Sequence, residues 1–154
     1  MEATMLEIDR IDRKILRELS EDARQTNLKL AERVGLSPSA CLRRVQELER
    51  SGVIKGYRAV IDKALLGAGF VVYVAVGLSS HTKESLGAFE RAIAASPDVV
   101  EFHTVTGALE YLLRVEVADI KAYKLFHTEV LGTLPHVSSI TSYIVMDTPK
   151  SERG

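Results

Sequence analysis

The run Gly35-Leu36-Ser37-Pro38-Ser39-Ala40-Cys41-Leu42-Arg43-Arg44-Val45-Gln46-Glu47-Leu48-Glu49-Arg50-Ser51-Gly52 has the marks of a tight turn followed by one helix with a defined start and stop. Ser37 is placed to accept from the free N–H groups of the first turn, and Pro38 at the first helical position forgoes a donor that would stay unpaired. Gly52 supplies the stop. Within those limits Cys41, Val45 and Leu48 recur at helical spacing and give one buried face. Ser39, Ala40, Arg43, Arg44 and Glu47 are left on the other. A small, uncharged first turn followed by two outward arginines suits a DNA major groove: the turn approaches base edges without bulk, and arginine bridges two guanine acceptors or grips a phosphate. The competing reading is a solvated helix face, since arginine and glutamate one turn apart are ordinary surface neighbours.

Upstream, Asp9 with Asp12 three residues on has the form of a capping box. Ile8, Ile11, Ile15, Leu16 and Leu19 follow at helical spacing, which predicts an amphipathic helix to about Ser20. Thr26 or Asn27 caps a second, two-turn helix with Leu28, Leu30, Ala31 and Val34 on its apolar side, ended by Gly35. The second and third helices with their glycine turn form a helix-turn-helix. After Gly52, residues 53–62 alternate and carry β-branched and aromatic side chains, which predicts a short strand or wing offering Lys55 and Arg58 to phosphates. The alternative for those two is solubilising edge charge.

The chain has 154 residues, 46% of them hydrophobic, enough for one ordinary domain or two small ones with real cores. Its 20 Lys+Arg and 21 Asp+Glu nearly cancel, which excludes a polycation that coats any nucleic acid; DNA binding has to come from local placement. Arg43, Arg44, Arg50, Lys55 and Arg58 supply it, against only Glu47 and Glu49 in the same region. The lone Cys41 falls on a buried helix face and reads as a small hydrophobe. No apolar run approaches the ~20 residues of a membrane span, and Met1-Glu2-Ala3-Thr4-Met5-Leu6-Glu7 is acidic where a secretory signal is basic, so a soluble, cytoplasmic protein without a membrane partner is expected. His81, His103, His127 and His136 lack metal-ligand spacing, and neither Ser79-Ser80-His81 nor Ser138-Ser139 sits in a nucleophile elbow. No metal, cofactor or catalytic residue is therefore expected.

Two glycines and little charge mark residues 63–69 as a hinge between an N-terminal domain of residues 1–62 and a C-terminal one of residues 70–154. In the latter, residues 70–78 read as a central strand, 83–95 as a helix, 99–106 and 111–117 as a hairpin, 119–131 as a second helix and 137–146 as a last strand. The order strand, helix, strand, strand, helix, strand is the ferredoxin-like βαββαβ pattern, an α+β fold with helices on one face of the sheet and the other free for dimerisation.

Ile8-Asp9-Arg10-Ile11-Asp12-Arg13-Lys14-Ile15-Leu16, Leu30-Ala31-Glu32-Arg33-Val34-Gly35-Leu36-Ser37-Pro38-Ser39, Arg44-Val45 and Leu48-Glu49-Arg50-Ser51-Gly52-Val53-Ile54-Lys55-Gly56-Tyr57 resemble the DNA-binding half of the leucine-responsive and asparagine (Lrp/AsnC) regulators. Val105-Thr106-Gly107, Tyr111-Leu112-Leu113-Arg114-Val115 and Thr141-Ser142-Tyr143-Ile144-Val145-Met146 resemble their effector domain, so the resemblance covers nearly the whole chain. It implies a winged helix-turn-helix regulator of transcription that contacts double-stranded DNA through Ser37, Ser39, Ala40, Arg43 and Arg44, with Lys55 and Arg58 on the backbone. It also implies a homodimer assembling further, often into an octamer, and a small effector, usually an amino acid, held at the hairpin of Thr104, Thr106, Gly107, Ala108, Leu109, Glu110 and Tyr111. Gly107 would let a ligand carboxylate reach backbone N–H groups, and Glu110 would receive an ammonium. Many relatives have an acidic residue where this chain has Ala108, so Glu110 alone meets the amino group, or the effector is weaker, different or absent. Two alternatives stay open: a small dimeric enzyme with His103 as base, and a metabolite-binding adaptor whose helix-turn-helix contacts protein.

Overall fold

A computed structural model describes residues 7–151. The chain divides into two compact units, Met1–Ala59 and Val60–Gly154, each with its own core.

The first unit has three helices, α1 (Arg10–Glu21), α2 (Asn27–Val34) and α3 (Pro38–Arg50). Each start is fixed by its own side chains. Asp12 N donates to Asp9 Oδ1 at 2.8 Å while Asp9 N donates to Asp12 Oδ2 at 3.1 Å, a complete capping box. Thr26 caps α2, and Ser37 Oγ accepts from Ala40 N at 3.3 Å at the head of α3. Ile15, Leu30, Ala31, Val34, Cys41 and Leu48 fill the core, with Ile8, Ile11, Leu16, Leu19, Leu36, Val45 and Ile54 packed around them. Burying an Ile or Leu side chain contributes roughly 1.5–3 kcal/mol, so these few residues carry much of the unit's stability.

Residues 53–62 do not form the strand expected of them. A strand exists only as part of a ladder, and among the described residues every ladder belongs to the sheet of the second unit. The segment is instead anchored to α3: Ile54 N donates to Leu48 O at 2.9 Å, and Tyr57 Oη donates to Glu49 Oε1 at 2.8 Å.

The second unit contains β1 (Phe70–Leu78), α4 (Lys83–Ala94), β2 (Val99–Thr104), β3 (Tyr111–Val117), α5 (Ile120–Leu125) and β4 (Val137–Ile144). The strands form one antiparallel sheet in the order β2-β3-β1-β4, as a ferredoxin-like βαββαβ chain requires. Alternation decides which side is buried. Val72, Val74, Val76 and Leu78 of β1 and Tyr111, Leu113, Val115 and Val117 of β3 turn inward against Phe89 and Ile93 of α4, Tyr123 of α5 and Phe126 just after it. Tyr143 of β4, paired with Tyr73, stays 57% exposed.

Residues 63–69 lie in this second unit as a turn, with Asp62 Oδ1 accepting from Ala64 N and Lys63 Nζ paired with the Glu116 carboxylate. The helix expected over residues 119–131 is not one α-helix. After α5, Leu131 N is shared between His127 O and Phe126 O, so that an i→i−5 turn widens the helix there, and a short 3-10 turn follows. The wider turn brings Leu131 round to the side of Phe126, where both are buried, whereas an α-helix would place residues five apart on different faces. β2 and β4 end at Thr104 and Ile144, earlier than the alternation of the sequence suggests.

Candidate nucleic-acid interface and ligand hairpin

Helix α3 is held at two places. Asn27 Nδ2, at the head of α2, donates to Pro38 O at 2.8 Å, fixing the first turn. Near the middle, Arg44 Nη1 donates to Asp9 Oδ2 at 2.7 Å and to Asp12 Oδ1 at 2.8 Å. Arg44 was expected to stand outward beside Arg43, and it does not. Successive helical residues turn by about 100°, so Arg44 falls beside Leu48, at the edge of the buried face. There the capping box of α1 presents two carboxylates, and that of Asp12, in a residue only 8% exposed, needs a partner. The result is mutual: the Asp12 N–H, then the guanidinium, hold the Asp9 carboxyl down from 3.8 to about 2, and the two carboxylates raise Arg44.

With Arg44 turned away, the outer side of α3 is Ser39, Leu42, Arg43 and Gln46, all exposed and spaced i, i+3, i+4, i+7. Among the described residues the side chain of Arg43 makes no hydrogen bond. Glu47 is taken by Arg50, which donates to both of its oxygens at 3.0 and 2.5 Å and is the first cause of its lowered pKa, with the field of Arg43 a minor one. Ser37 is exposed with its Oγ 3.3 Å from Ser39 Oγ, whereas Ala40 is half-buried. Lys55 and Arg58 are exposed on either side of Tyr57, whose phenol is pushed up to about 12, by burial first and the Glu49 carboxylate next. Sequence reasoning passed over Leu42 and Gln46, although counting threes and fours from Ser39 finds both. No spacing signal marks Asn27.

At the β2–β3 hairpin, Thr104, Thr106, Gly107 and Ala108 are exposed, and Gly107 has φ 128, a conformation that favours glycine, whose missing Cβ leaves the backbone there open to close approach. Leu109 and Glu110 are half-buried, and Tyr111 is buried: its Oη donates to Glu90 Oε1 at 2.7 Å and its ring lies 4.6 Å from that of Phe89. The side chain of Tyr111 therefore belongs to the core. Glu110 reaches back to β1, where Oε2 accepts from Leu78 N at 2.6 Å and Oε1 lies 2.8 Å from His81 Nε2. The backbone N–H first and His81 second lower its pKa. Gly77 makes room for this arrangement, since a Cβ there would lie 2.3 Å from Ser139 Oγ and 3.1 Å from Leu109 Cδ2. His103, the base of the enzymatic alternative, stands 55% exposed on β2 with Glu101 Oε1 2.5 Å from its Nε2.

A winged helix-turn-helix DNA-binding family matches residues 8–55, and the Lrp/AsnC ligand binding domain matches residues 71–154. The leucine-responsive regulatory protein of Escherichia coli is 40% identical over 144 residues, covering 94% of this chain and 88% of that protein. An AsnC family transcriptional regulator from Agrobacterium tumefaciens has 38% identity and a TM-score of 0.87 over 93% of both chains. A transcriptional regulator from Neisseria meningitidis, solved as an L-Met complex, has 32% identity and a TM-score of 0.88, covering 93% of this chain and 92% of that one. The helix-turn-helix unit and the βαββαβ unit thus occur here in the order and at the lengths of these regulators, and the chain belongs to the Lrp/AsnC family of DNA-binding transcriptional regulators.

Proposed function

We propose that this regulator reads its operator with the outer side of α3 and adjusts binding or assembly to a small effector, an amino acid, at the β2–β3 hairpin. The observation that carries the DNA half is a recognition helix pinned by Asn27 and Arg44 while Ser37, Ser39 and Arg43 stay exposed. Ser37, Ser39 and Ala40 let the first turn approach the bases, and Arg43 takes a guanine edge or a phosphate. Lys55 and Arg58 hold the backbone. Arg44 acts as a positioning residue, setting the angle of α3 against α1. We assign this work to the cytoplasm and assign no enzymatic step, a reading supported by the family's role in transcription.

For the effector half, the L-Met complex of the Neisseria relative supports an amino acid ligand. Thr104, Thr106, Gly107 and Ala108 offer exposed hydroxyl and backbone groups, Leu109 an apolar contact, and Glu110 a carboxylate that already accepts two hydrogen bonds. Tyr111 supports the hairpin from below. The sheet face opposite α4 and α5 suits a homodimer, which the family resemblance extends to an octamer, and two-fold symmetry would set half-sites about one helical turn apart.

The test is a gel-shift titration of the full chain against fragments of its own genome, with and without a panel of twenty amino acids. Arg43→Ala should cost roughly 1–3 kcal/mol and relax sequence preference, and Lys55→Ala should mainly reduce the salt slope by about one. Unaltered affinity in Arg43→Ala would remove the assigned face. A panel that changes neither operator affinity nor sedimentation would remove the sensing half.

A further inference from the structure

Leu42 is the feature of α3 that neither the core nor the charge pattern accounts for. It is 46% exposed in the middle of the recognition helix and outside the cluster of Ile15, Leu30 and Leu48. It shares one stripe with Ser39, Arg43 and Gln46, opposite Cys41, Val45 and Leu48. Single exposed leucines are common on protein surfaces and mean nothing alone. Here the neighbours give it meaning, because Gln46 lies one turn on and Arg43 is adjacent. Neither side chain has a hydrogen bond within the described residues to hold it back.

We propose that Leu42 and Gln46 determine specificity by reading two A·T base pairs, one or two steps apart, in each half-site, Leu42 by contact with a thymine 5-methyl group and Gln46 by paired hydrogen bonds to adenine N6 and N7. The inference rests on α3 entering the major groove as proposed above. There, only thymine carries a methyl group, and adenine alone offers a donor beside an acceptor, which the amide of glutamine matches with its own acceptor and donor. Cytosine in place of thymine would set a polar amino group against the isobutyl side chain, and guanine in place of adenine would turn the donor facing the amide oxygen into an acceptor. The two residues are a turn apart, about 6 Å along the helix axis. That distance falls between one and two base steps of about 3.4 Å, so the pairs they read are next to each other or one apart.

The experiment begins with selection of bound duplexes by the full-length dimer or its natural assembly, followed by atom-level changes at the selected sites. Deoxyuridine in place of thymidine removes only the methyl group, and 7-deazaadenine removes only N7. The wild type should lose roughly fourfold in affinity with deoxyuridine at one position of one half-site, the worth of about one buried methyl group. It should lose roughly tenfold with 7-deazaadenine at the neighbouring site, the low end of what a bidentate base contact supplies. Leu42→Ala should bind deoxyuridine and thymidine duplexes alike while keeping its response to 7-deazaadenine, and Gln46→Ala should show the reverse. Equal losses in wild type and Leu42→Ala at every thymine, with the Gln46 pair equally indifferent, would overturn the proposal while leaving DNA binding intact. Failure of the wild type to select any sequence would overturn the groove reading itself. Circular dichroism melting of both variants guards against misfolding, and because each variant must retain one of the two responses, a collapsed protein is recognised by losing both.

Discussion

Helix α3 and the β2–β3 hairpin, the two surfaces proposed for DNA and effector, present their exposed groups in opposite ways. On α3 the polar side chains nearest the core are turned back into the fold, Arg44 onto α1, while Ser39, Leu42, Arg43 and Gln46 stand free. At the hairpin the large side chains at its downstream end are the ones consumed. Glu110 is spent on Leu78 N and His81, Tyr111 on Glu90, and what remains outward from Thr104 to Ala108 is backbone, two threonine hydroxyls, Val105 and Ala108. A helix satisfies its own backbone and can read only with side chains, whereas a glycine-containing turn leaves N–H groups for a ligand. Side chains suit a duplex whose sequence must be told apart, and backbone donors suit the carboxylate that all amino acids share.

The comparison breaks first, if it breaks, at the rear of α3. Leu48→Ala removes a fully buried side chain and should cost about 2–5 kcal/mol in denaturant unfolding, whereas Leu42→Ala on the opposite face should lie within about 0.5 kcal/mol of the parent. Similar losses for both would mean that Leu42 packs against something and is not a free reading surface. Next comes the base of the hairpin. Gly77→Ala drives a Cβ into Ser139 Oγ and Leu109, and should destabilise by about 1–3 kcal/mol and weaken effector response together. A variant of full stability with unchanged response would show that the hairpin does not depend on its support from β1.

What the sequence disclosed and what it hid follow the range of the interaction. The caps were legible because each joins residues three apart: Asp9 with Asp12, Thr26 with Lys29, Ser37 with Ala40. The strand faces were legible because alternation at Tyr111, Leu113, Val115 and Val117 states directly which side is wet. Arg44 was misjudged because its direction depends on carboxylates 35 and 32 residues away, and only the packing of α1 on α3 brings them together. Glu110 was legible as a charged hairpin residue but not as a brace, since its partner Leu78 N is 32 residues upstream. The break after α5 was hidden for a different reason. Tyr123, Phe126, Val130 and Leu131 satisfy a helical period well enough, and only the core decides that Leu131 belongs on the side of Phe126. The strand at 53–62 failed because alternation describes a strand's faces but says nothing of a neighbour to pair with.

A smaller effect separates the two arginines. Arg44→Ala removes the partner of the buried Asp12 carboxylate and should cost about 1–2 kcal/mol of stability, with a loss of operator affinity that is uniform across sequences because α3 loosens as a whole. Arg43→Ala should leave stability within about 0.5 kcal/mol and change which sequences are preferred. If Arg44→Ala altered base preference at a single position while stability held, the positioning role would be wrong and a direct contact would replace it.

The finest test is the titration of Asp9, because it separates the two things that hold the clasp together. The Asp12 N–H is the larger cause of the lowered pKa and belongs to the capping box within α1; the Arg44 guanidinium is the second and belongs to α3. Carboxyl carbon shifts followed by NMR should therefore place the Asp9 midpoint near 2 in the parent. In Arg44→Ala the midpoint should rise but stay below 3.8, because the N–H remains. The sign of the stability effect follows from the direction of the shift. A carboxyl with a lower pKa folded than unfolded contributes fully above about pH 4, and that contribution is lost as the pH falls toward 2. Unfolding measured across that window should accordingly show a shallower acid dependence in Asp9→Asn than in the parent. A midpoint that returns all the way to 3.8 in Arg44→Ala would mean that α1 cannot form its own cap without α3, which would make the arginine the organiser of both helices.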